Sequence, residues 1–306
     1  MEWTILGAGA IGCLWAAYLQ QAGARVQLIL RDPSRLDTFR QQGGIRLVRD
    51  EKEWFCPVEA GLATATGPIE RLLLCTKAFD TESALRPLLP RLTASARVLV
   101  LQNGLGNQQQ AAGLVGSGRV LIGSTTDGAW LRAPFEVVHA GVGETAIGPL
   151  DGRPFSLPEL LPPGFGLRLR PDTDIERTLW RKLAINCAIN PLTALHGCRN
   201  GDLARNPAYR DTLEILCREF EQVAAARGIR LFDGPLVQQA LRVAENTGDN
   251  LSSMLQDIRH QRPTEIEQIT GYLCHEAKRV GVAVPRHREL LERIRRLESA
   301  RMNSHD

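Results

Sequence analysis

The opening stretch constrains the fold more than any other part of the chain. An apolar run, Trp3-Thr4-Ile5-Leu6, meets Gly7-Ala8-Gly9-Ala10-Ile11-Gly12, and an Ala/Leu-rich helical pattern follows through Leu19. A strand that passes through Gly-x-Gly-x-x-Gly straight into a helix is the dinucleotide fingerprint of a doubly wound α/β sheet. Each glycine meets a separate need. Gly7 allows the tight turn, Gly9 lets a pyrophosphate approach backbone, and Gly12 lets the helix lie close on the sheet. Free N–H groups and the dipole at the helix N-terminus then suit phosphate. A glycine triplet alone is also an ordinary turn; the helix after it and a second apolar strand at 25–30 supply the context that favours the dinucleotide.

The end of that second strand bears on which dinucleotide. An NAD site usually places Asp or Glu there for the ribose 2′-OH. Here Arg31 ends the strand, followed by Asp32-Pro33-Ser34-Arg35. A guanidinium grips two phosphate oxygens at once, so Arg31 favours NADP. Asp32, as a ribose ligand shifted by one position, is the competing reading, and a solvated pair of loop charges is the plain one.

The 306 residues suffice for one large or two ordinary domains. With 43% hydrophobic and 23% charged residues the composition is that of a soluble globular protein. A net charge of +3 argues for neither nucleic-acid nor membrane binding. The run Arg293-Ile294-Arg295-Arg296 reads as a solvated helix face. Seven cysteines without CxxC pairs suit a reducing compartment better than a disulfide framework. The fingerprint at residue 3 leaves no room for a targeting peptide, and no apolar run has transmembrane length, so a cytoplasmic location is expected. The six histidines do not pair with Cys or carboxylates at ligand spacing, so no metal is expected.

Along the first half, the pattern predicts a helix at 33–42 and strands at 45–48 and 53–58, an inserted hairpin or meander. The apolar run 71–76 reads as a parallel strand buried on both faces and ends in Lys77. A helix is expected at 81–92. A further buried strand, 97–101, ends in Gln102-Asn103-Gly104, and another follows at 120–123. Ligands bind beyond the carboxyl ends of such strands, which would turn Gly7, Arg31, Lys77 and Asn103 toward one crevice. Singly, Lys77 reads as a surface lysine and Asn103-Gly104 as a turn. Segments 135–139 and 144–148 alternate around Gly141 and Gly143 and predict a hairpin. A last strand is expected at 166–170. Pro171-Asp172-Thr173-Asp174 marks the expected boundary between domains 1–171 and 172–306.

Beyond it, helical periodicity runs through 175–189, 209–227, 235–246, 253–262, 264–280 and 286–301. In the first of these, Lys182, Asn186 and Asn190 recur every four residues, within about 80° of arc on one face. Their neighbours Leu183, Ala184, Ile185, Cys187, Ala188 and Ile189 are apolar. Polar groups so placed need partners or a wet cavity. They form either a structural hydrogen-bond ladder or, beside a nicotinamide, a carbonyl-binding constellation with Lys182 as acid. At an ordinary pKa of about 10.4, Lys182 needs no large shift to donate at neutral pH. Further on, Ser253 with Gln256 and Thr264 with Glu267 have capping-box spacing, which accounts for most of that segment. Pro263 breaks the helix there and leaves a bend that could aim Glu265 into a cleft.

Taken together, the glycine fingerprint, Thr76-Lys77-Ala78, Gln102-Asn103-Gly104, Lys182-Leu183-Ala184-Ile185-Asn186, Asn190-Pro191-Leu192-Thr193-Ala194, Ser252-Ser253-Met254-Leu255-Gln256-Asp257 and Thr264-Glu265-Ile266-Glu267 resemble the ketopantoate reductase family almost end to end. The resemblance implies a Rossmann-type doubly wound domain followed by an all-α domain like the C-terminal domain of 6-phosphogluconate dehydrogenase. It implies NADPH-dependent reduction of 2-dehydropantoate to pantoate for pantothenate synthesis. Lys182 matches the family's proton donor, Asn186 and Asn190 its substrate amides, Asn200 a further substrate ligand, and Asn250, Leu251, Ser252 and Ser253 the segment that grips the substrate. Glu265 matches a carboxylate near substrate and cofactor, and Asn103 a residue between nicotinamide ribose and substrate. Gly7, Ala8, Gly9, Ala10, Ile11 and Gly12 match the phosphate loop, Arg31 and Lys77 the pair on the 2′-phosphate, and Ala129 a backbone contact to cofactor. Asp80, Asp127-Gly128 and His196-Gly197 depart from the family pattern, which touches substrate selectivity rather than reaction class. A family reductase of another 2-oxo or 3-hydroxy acid is one alternative. A non-catalytic NADP-binding sensor is the other, though a sensor has no need of a proton donor. The expected partner is a small 2-oxo acid, in a monomer or homodimer.

Overall fold

The structure, a computed structural model, describes residues 1–302. Two compact units emerge. One comprises Met1–Gln102 and Asn107–Ile175, the other Asn103–Gly106 and the residues from Glu176 onward.

In the first unit β1 (Glu2–Leu6) passes through the glycine turn into α1 (Ala10–Gln21), then β2 (Arg25–Leu30) and α2 (Pro33–Gln42). Strands β3 (Ile45–Arg49), β4 (Lys52–Cys56), β5 (Glu59–Leu62) and β6 (Ile69–Leu74) follow. Then come α3 (Thr81–Leu85), β7 (Leu92–Val100), α4 (Asn107–Val115) and β8 (Val120–Thr125). The unit ends with β9 (Gly128–Ala133), β10 (Glu136–Gly141), β11 (Thr145–Pro149), a short α5 (Leu157–Leu160) and β12 (Leu169–Pro171). Among the described residues these strands form an eight-stranded sheet in the order β12-β11-β8-β7-β6-β1-β2-β5 and a four-stranded sheet, β4-β3-β10-β9. In the large sheet only β8 with β11 is antiparallel among the described residues. Strand order reverses between β1 and β6, the place where open sheets of this kind bind ligands. Helix α1 packs on β1 and β2 on one side and on β3, β9 and β10 on the other, so Gly12 through Leu19 are all buried. That is why its sequence is apolar all round rather than striped.

Several expectations are corrected. Segments 135–139 and 144–148 are not a hairpin. Strand β10 pairs with β9 and β3 in the small sheet, whereas β11 pairs with β8 and β12 in the large one. Gly143 lies where the chain crosses between the sheets, and a Cβ there would strike the Thr126 and Asp127 backbone. The true hairpin is β9–β10, turning at a buried Phe135 with φ of +59°. The helix expected at 81–92 stops at Leu85 and continues as a 3₁₀ turn, Arg86–Arg91, because Pro87 and Pro90 lack the N–H groups an α-helix needs. Strands β5 and β9 and helix α4 were not foreseen.

The second unit contains α6 (Ile175–His196), α7 (Asp202–Arg205), α8 (Pro207–Ala226), α9 (Leu236–Asn246), α10 (Ser253–Arg259), α11 (Tyr272–Arg279) and α12 (Pro285–Met302). A π-helical turn, Glu267–Gly271, precedes α11 where continuous α-helix was expected. Helix α6 runs through Pro191, and Thr193 Oγ1 donates to the Ile189 and Asn190 carbonyls beside it, each at 3.0 Å.

The start of α12 is fixed by a buried carboxylate on α8. Glu219 accepts from the Arg286 N–H at 2.9 Å, the His287 N–H at 3.1 Å and His287 Nδ1 at 2.9 Å. Burial works to raise its pKa, but the hydrogen bonds from His287 and the two N–H groups prevail and hold it below the usual carboxylate range. A depressed folded pKa contributes stability that is full above the unfolded value of about 4.3 and is lost as pH falls through the folded one. Glu219→Ala is expected to destabilise the protein by about 2–3 kcal/mol at pH 7 in urea unfolding. Glu219→Gln should flatten this group's share of the acid loss of stability.

Candidate active site

The glycine turn of the first unit leaves no room for side chains at two of its positions and open space at the third. Gly7 has φ of +109°, and a Cβ on it would lie 2.6 Å from Thr76 N and 2.7 Å from the Cys75 carbonyl carbon. Only glycine meets both conditions. A Cβ on Gly12 would strike the Gly7 carbonyl oxygen, so helix and turn lock together. Gly9 is the N-cap of α1, and there the situation is opposite: a Cβ would meet nothing within 4 Å. No side chain caps this helix. Open space at an uncapped N-terminus fits the pyrophosphate of a dinucleotide. Arg35, which sequence reading gave no part in the site, donates from Nη2 to the Ala8 carbonyl at 2.8 Å with its guanidinium 5.1 Å from the Phe135 ring centre.

At the end of β2 the two rival residues take different parts. Asp32 is the N-cap of α2, accepting from the Arg35 N–H at 2.8 Å through Oδ1. Its other oxygen accepts from Arg31 Nε at 2.9 Å. The Arg35 N–H, and after it Arg31, hold its carboxyl below the usual range. Asp32 is thus committed to its helix, while the Arg31 side chain is 84% exposed and leaves its terminal nitrogens to solvent. Lys77 lies three residues beyond the end of β6, and its loop is braced by Gln102, which sequence reading left without a role. Gln102 Nε2 donates to the Thr76 carbonyl and hydroxyl, each at 3.0 Å, and Asn107 Nδ2 donates to Gln102 Oε1 at 2.9 Å. A buried glutamine closing an apolar strand was the available signal. Ala129 lies on β9 opposite His139, packed with Ile11 against the core.

In the second unit three of the expected residues come together from separate segments. Asn103 Nδ2 donates to Glu265 Oε2 at 3.3 Å. Glu265 is buried just before the π turn, and its charge acts on Lys182 of α6. Burial pushes the Lys182 ammonium down to about 8, against the opposing pull of Glu265. The expectation of an unshifted lysine is therefore corrected, because the sequence does not show how much of the ammonium's hydration folding removes. Asn186 and Asn190 follow on the same helix, half-buried, with no side-chain partner among the described residues. They are not a structural hydrogen-bond ladder.

The remaining residues form a second cluster in this unit. The Asn200 N–H donates to the Asn250 carbonyl at 3.0 Å and the Gly201 N–H to the Gly248 carbonyl at 3.1 Å, so Arg199-Asn200-Gly201 lies along Gly248–Asn250. Asn200 itself is 8% exposed and donates from Nδ2 to Thr247 Oγ1 at 2.9 Å. The capping-box expectation is corrected by one residue. Ser252, not Ser253, caps α10, accepting from the Leu255 N–H at 3.1 Å and hydrogen-bonding the Thr193 hydroxyl at 2.7 Å. Gln256 Nε2 reaches the Leu251 carbonyl at 3.0 Å instead of the cap. Ser253 and Asn250 are exposed. Thr264 Oγ1 accepts from the Ile266 N–H at 3.2 Å without capping the helix, and Glu267 turns away to Arg295. Among the described residues no cluster of His, Cys, Asp and Glu could hold a metal ion.

The family described as ketopantoate reductase PanE/ApbA matches residues 3–152, and its C-terminal counterpart matches residues 174–298. A 2-dehydropantoate 2-reductase of Vibrio cholerae is 36% identical over 98% of this chain and 99% of its own. A crystal structure of a PanE/ApbA family ketopantoate reductase from Ralstonia eutropha JMP134 superposes with a TM-score of 0.89 at 30% identity, covering 99% of this chain and 100% of that one. The ternary structure of D-mandelate dehydrogenase with NADH and anilino(oxo)acetate superposes at 0.88 with 25% identity, covering 99% and 100%. The chain belongs to the ketopantoate reductase family of oxidoreductases.

Proposed function

We propose that the protein reduces the C2 ketone of 2-dehydropantoate to the hydroxyl of pantoate with NADPH, in the synthesis of pantothenate. The observation that carries this reading is the cluster of Lys182, Glu265 and Asn103, with two unpartnered amides in line along α6. When bound, the nicotinamide supplies the hydride. The chain's own residues do the rest. The N-terminus of α1 holds the pyrophosphate over Gly9, and Arg31 and Lys77 hold the 2′-phosphate. Asn186 and Asn190, with residues 250–253, orient the 2-oxo acid. Asn200 is buried and acts by fixing Asn250. Lys182 donates its proton to the ketone oxygen as that atom gains charge, so the alkoxide is never left bare. One hydride and one proton are consumed per ketone. Residues up to Pro171 form the cofactor domain in this reading and those after it the substrate domain. All seven cysteines are free thiols, which suits a reducing cytoplasm. No helix among the described residues is long and apolar enough to cross a membrane.

The test is NADPH consumption with 2-dehydropantoate, with NADH and a panel of branched and aryl 2-oxo acids run alongside. Loss of NADPH that depends on 2-dehydropantoate is expected. Tight NADPH binding with turnover only on another 2-oxo acid would move the substrate, a reading that the likeness to D-mandelate dehydrogenase makes worth the panel. In the same assay Arg31→Ala should raise the KM for NADPH by about tenfold or more, the worth of a charge-assisted phosphate contact, and leave the KM for NADH unchanged. A KM raised equally for both cofactors would assign Arg31 a structural part.

A further inference from the structure

Two side chains of α12 grip the segment that carries Glu265, one on each side of it. On the N-terminal side, Glu298 Oε1 accepts from the Thr264 N–H at 2.7 Å. This N–H directly follows Pro263 and opens the turn. On the other side, Arg295 forms a two-pronged ion pair with Glu267, Nε to Oε1 at 2.6 Å and Nη2 to Oε2 at 2.8 Å. Glu267 is the first residue of the π turn. Glu298 and Arg295 lie three apart, on one face of their helix. Between their two anchor points the backbone has little freedom, and Glu265 is 5% exposed. The expected capping box would have tied Glu267 to its own helix; here it is spent on α12 instead.

Glu265 needs such bracing. A carboxylate in the interior is held by strong partners or it moves to find water. The charge of Glu265 acts on Lys182 and opposes the loss of its proton. A displacement of 1–2 Å changes that interaction steeply, because the pair is shielded from water.

We propose that Glu298 and Arg295 are positioning residues that hold the Glu265 carboxylate in place for Lys182. Neither touches the reacting groups; each acts through the backbone that carries Glu265. The inference rests on Lys182 being the acid of the proposed reaction only where turnover is concerned.

The chain has four lysines, Lys52, Lys77, Lys182 and Lys278, so ¹³Cε-lysine labelling gives a spectrum in which Lys182 is assigned by its loss in Lys182→Met. The Lys182 titration midpoint is measured in the full-length wild type, Glu298→Ala, Glu298→Gln and Arg295→Met. Loss of either clamp is expected to lower the midpoint by roughly half to one pH unit, as an opposing carboxylate recedes. Glu298→Gln keeps an acceptor for the Thr264 N–H and should restore the wild-type midpoint. Arg295→Met changes a half-exposed side chain and keeps the test open should Glu298→Ala fold poorly. Wild-type midpoints in both Ala and Met variants would overturn the proposal. Alkaline limbs of kcat that move with the midpoints support the proton-donor reading as well. Midpoints that move while the limbs stay put leave the clamp standing and remove Lys182 as the acid.

Discussion

Lys182→Ala is expected to lower kcat for ketoacid reduction by about 10²–10⁴-fold, the scale of a positioned general acid, with the affinity for NADPH unchanged. The pH dependence carries more information than the loss itself. A lysine at its ordinary pKa would stay charged to about pH 10, and the rate would be flat across the range where the protein is handled. Burial instead pushes Lys182 down to about 8. The reaction needs the ammonium, so kcat should be full below pH 7 and decline as pH rises through about 8. At pH 7 the lysine is still mostly protonated, yet its proton is released far more readily than from an exposed side chain. A general acid works best with a pKa near the working pH, so partial desolvation improves the group it discharges. Glu265 limits that downward shift by opposing it. Glu265→Gln should therefore move the alkaline limb to lower pH. A wild-type profile flat to pH 10 would remove either the shift or the role.

The residues legible in advance were those whose signal is local. The glycine fingerprint needs only its own dozen residues, and the apolar run read at 71–76 marks a strand that the structure places two residues earlier, as β6 (Ile69–Leu74). Lys182, Asn186 and Asn190 share a face by helical geometry alone, and α6 delivers them so. Expectations failed where the deciding partner is far along the chain. Alternation tells which face of β10 and β11 is buried, but not that the two strands belong to different sheets. The doublet Ser252-Ser253 offers either serine as a cap, and Thr193, 59 residues away, decides between them. The shift at Lys182 depends on burial in the folded chain, which spacing does not reveal. Asp32 and Arg31 were ambiguous for a different, local reason: the Arg35 N–H, three residues on, makes the aspartate the cap of α2.

Gly104→Ala is the second substitution expected to have a large effect, about 10²-fold in kcat with much less change in the affinity for NADPH. Gly104 has φ of +81°, and a Cβ on it would lie 2.5 Å from the Gln268 carbonyl oxygen and 2.6 Å from Gln268 Cβ. Neither backbone nor space admits alanine. The close approach exists because the chain is sewn to the π turn at this point: the Leu105 N–H donates to the same Gln268 carbonyl at 2.9 Å. In a regular α-helix that carbonyl would be taken by the N–H four residues on; the wider π turn alters this pairing and allows a loop to dock against it. What the docking positions is the residue before it, Asn103, whose amide donates to Glu265. An added methyl group must lift the loop by a large part of an ångström, and Asn103 moves with it. Misplacement of this size costs turnover far more than ground-state affinity, since orientation counts most at the transition state. Gly104→Ala should thus leave NADPH bound in a calorimetric titration while kcat falls, and Asn103→Ala should reproduce most of that fall. If Gly104→Ala turned over at the wild-type rate, the π turn would be a packing irregularity with no part in placing Asn103. A kcat lost in Gly104→Ala but kept in Asn103→Ala would place the docked loop itself, rather than its asparagine, in the chemistry.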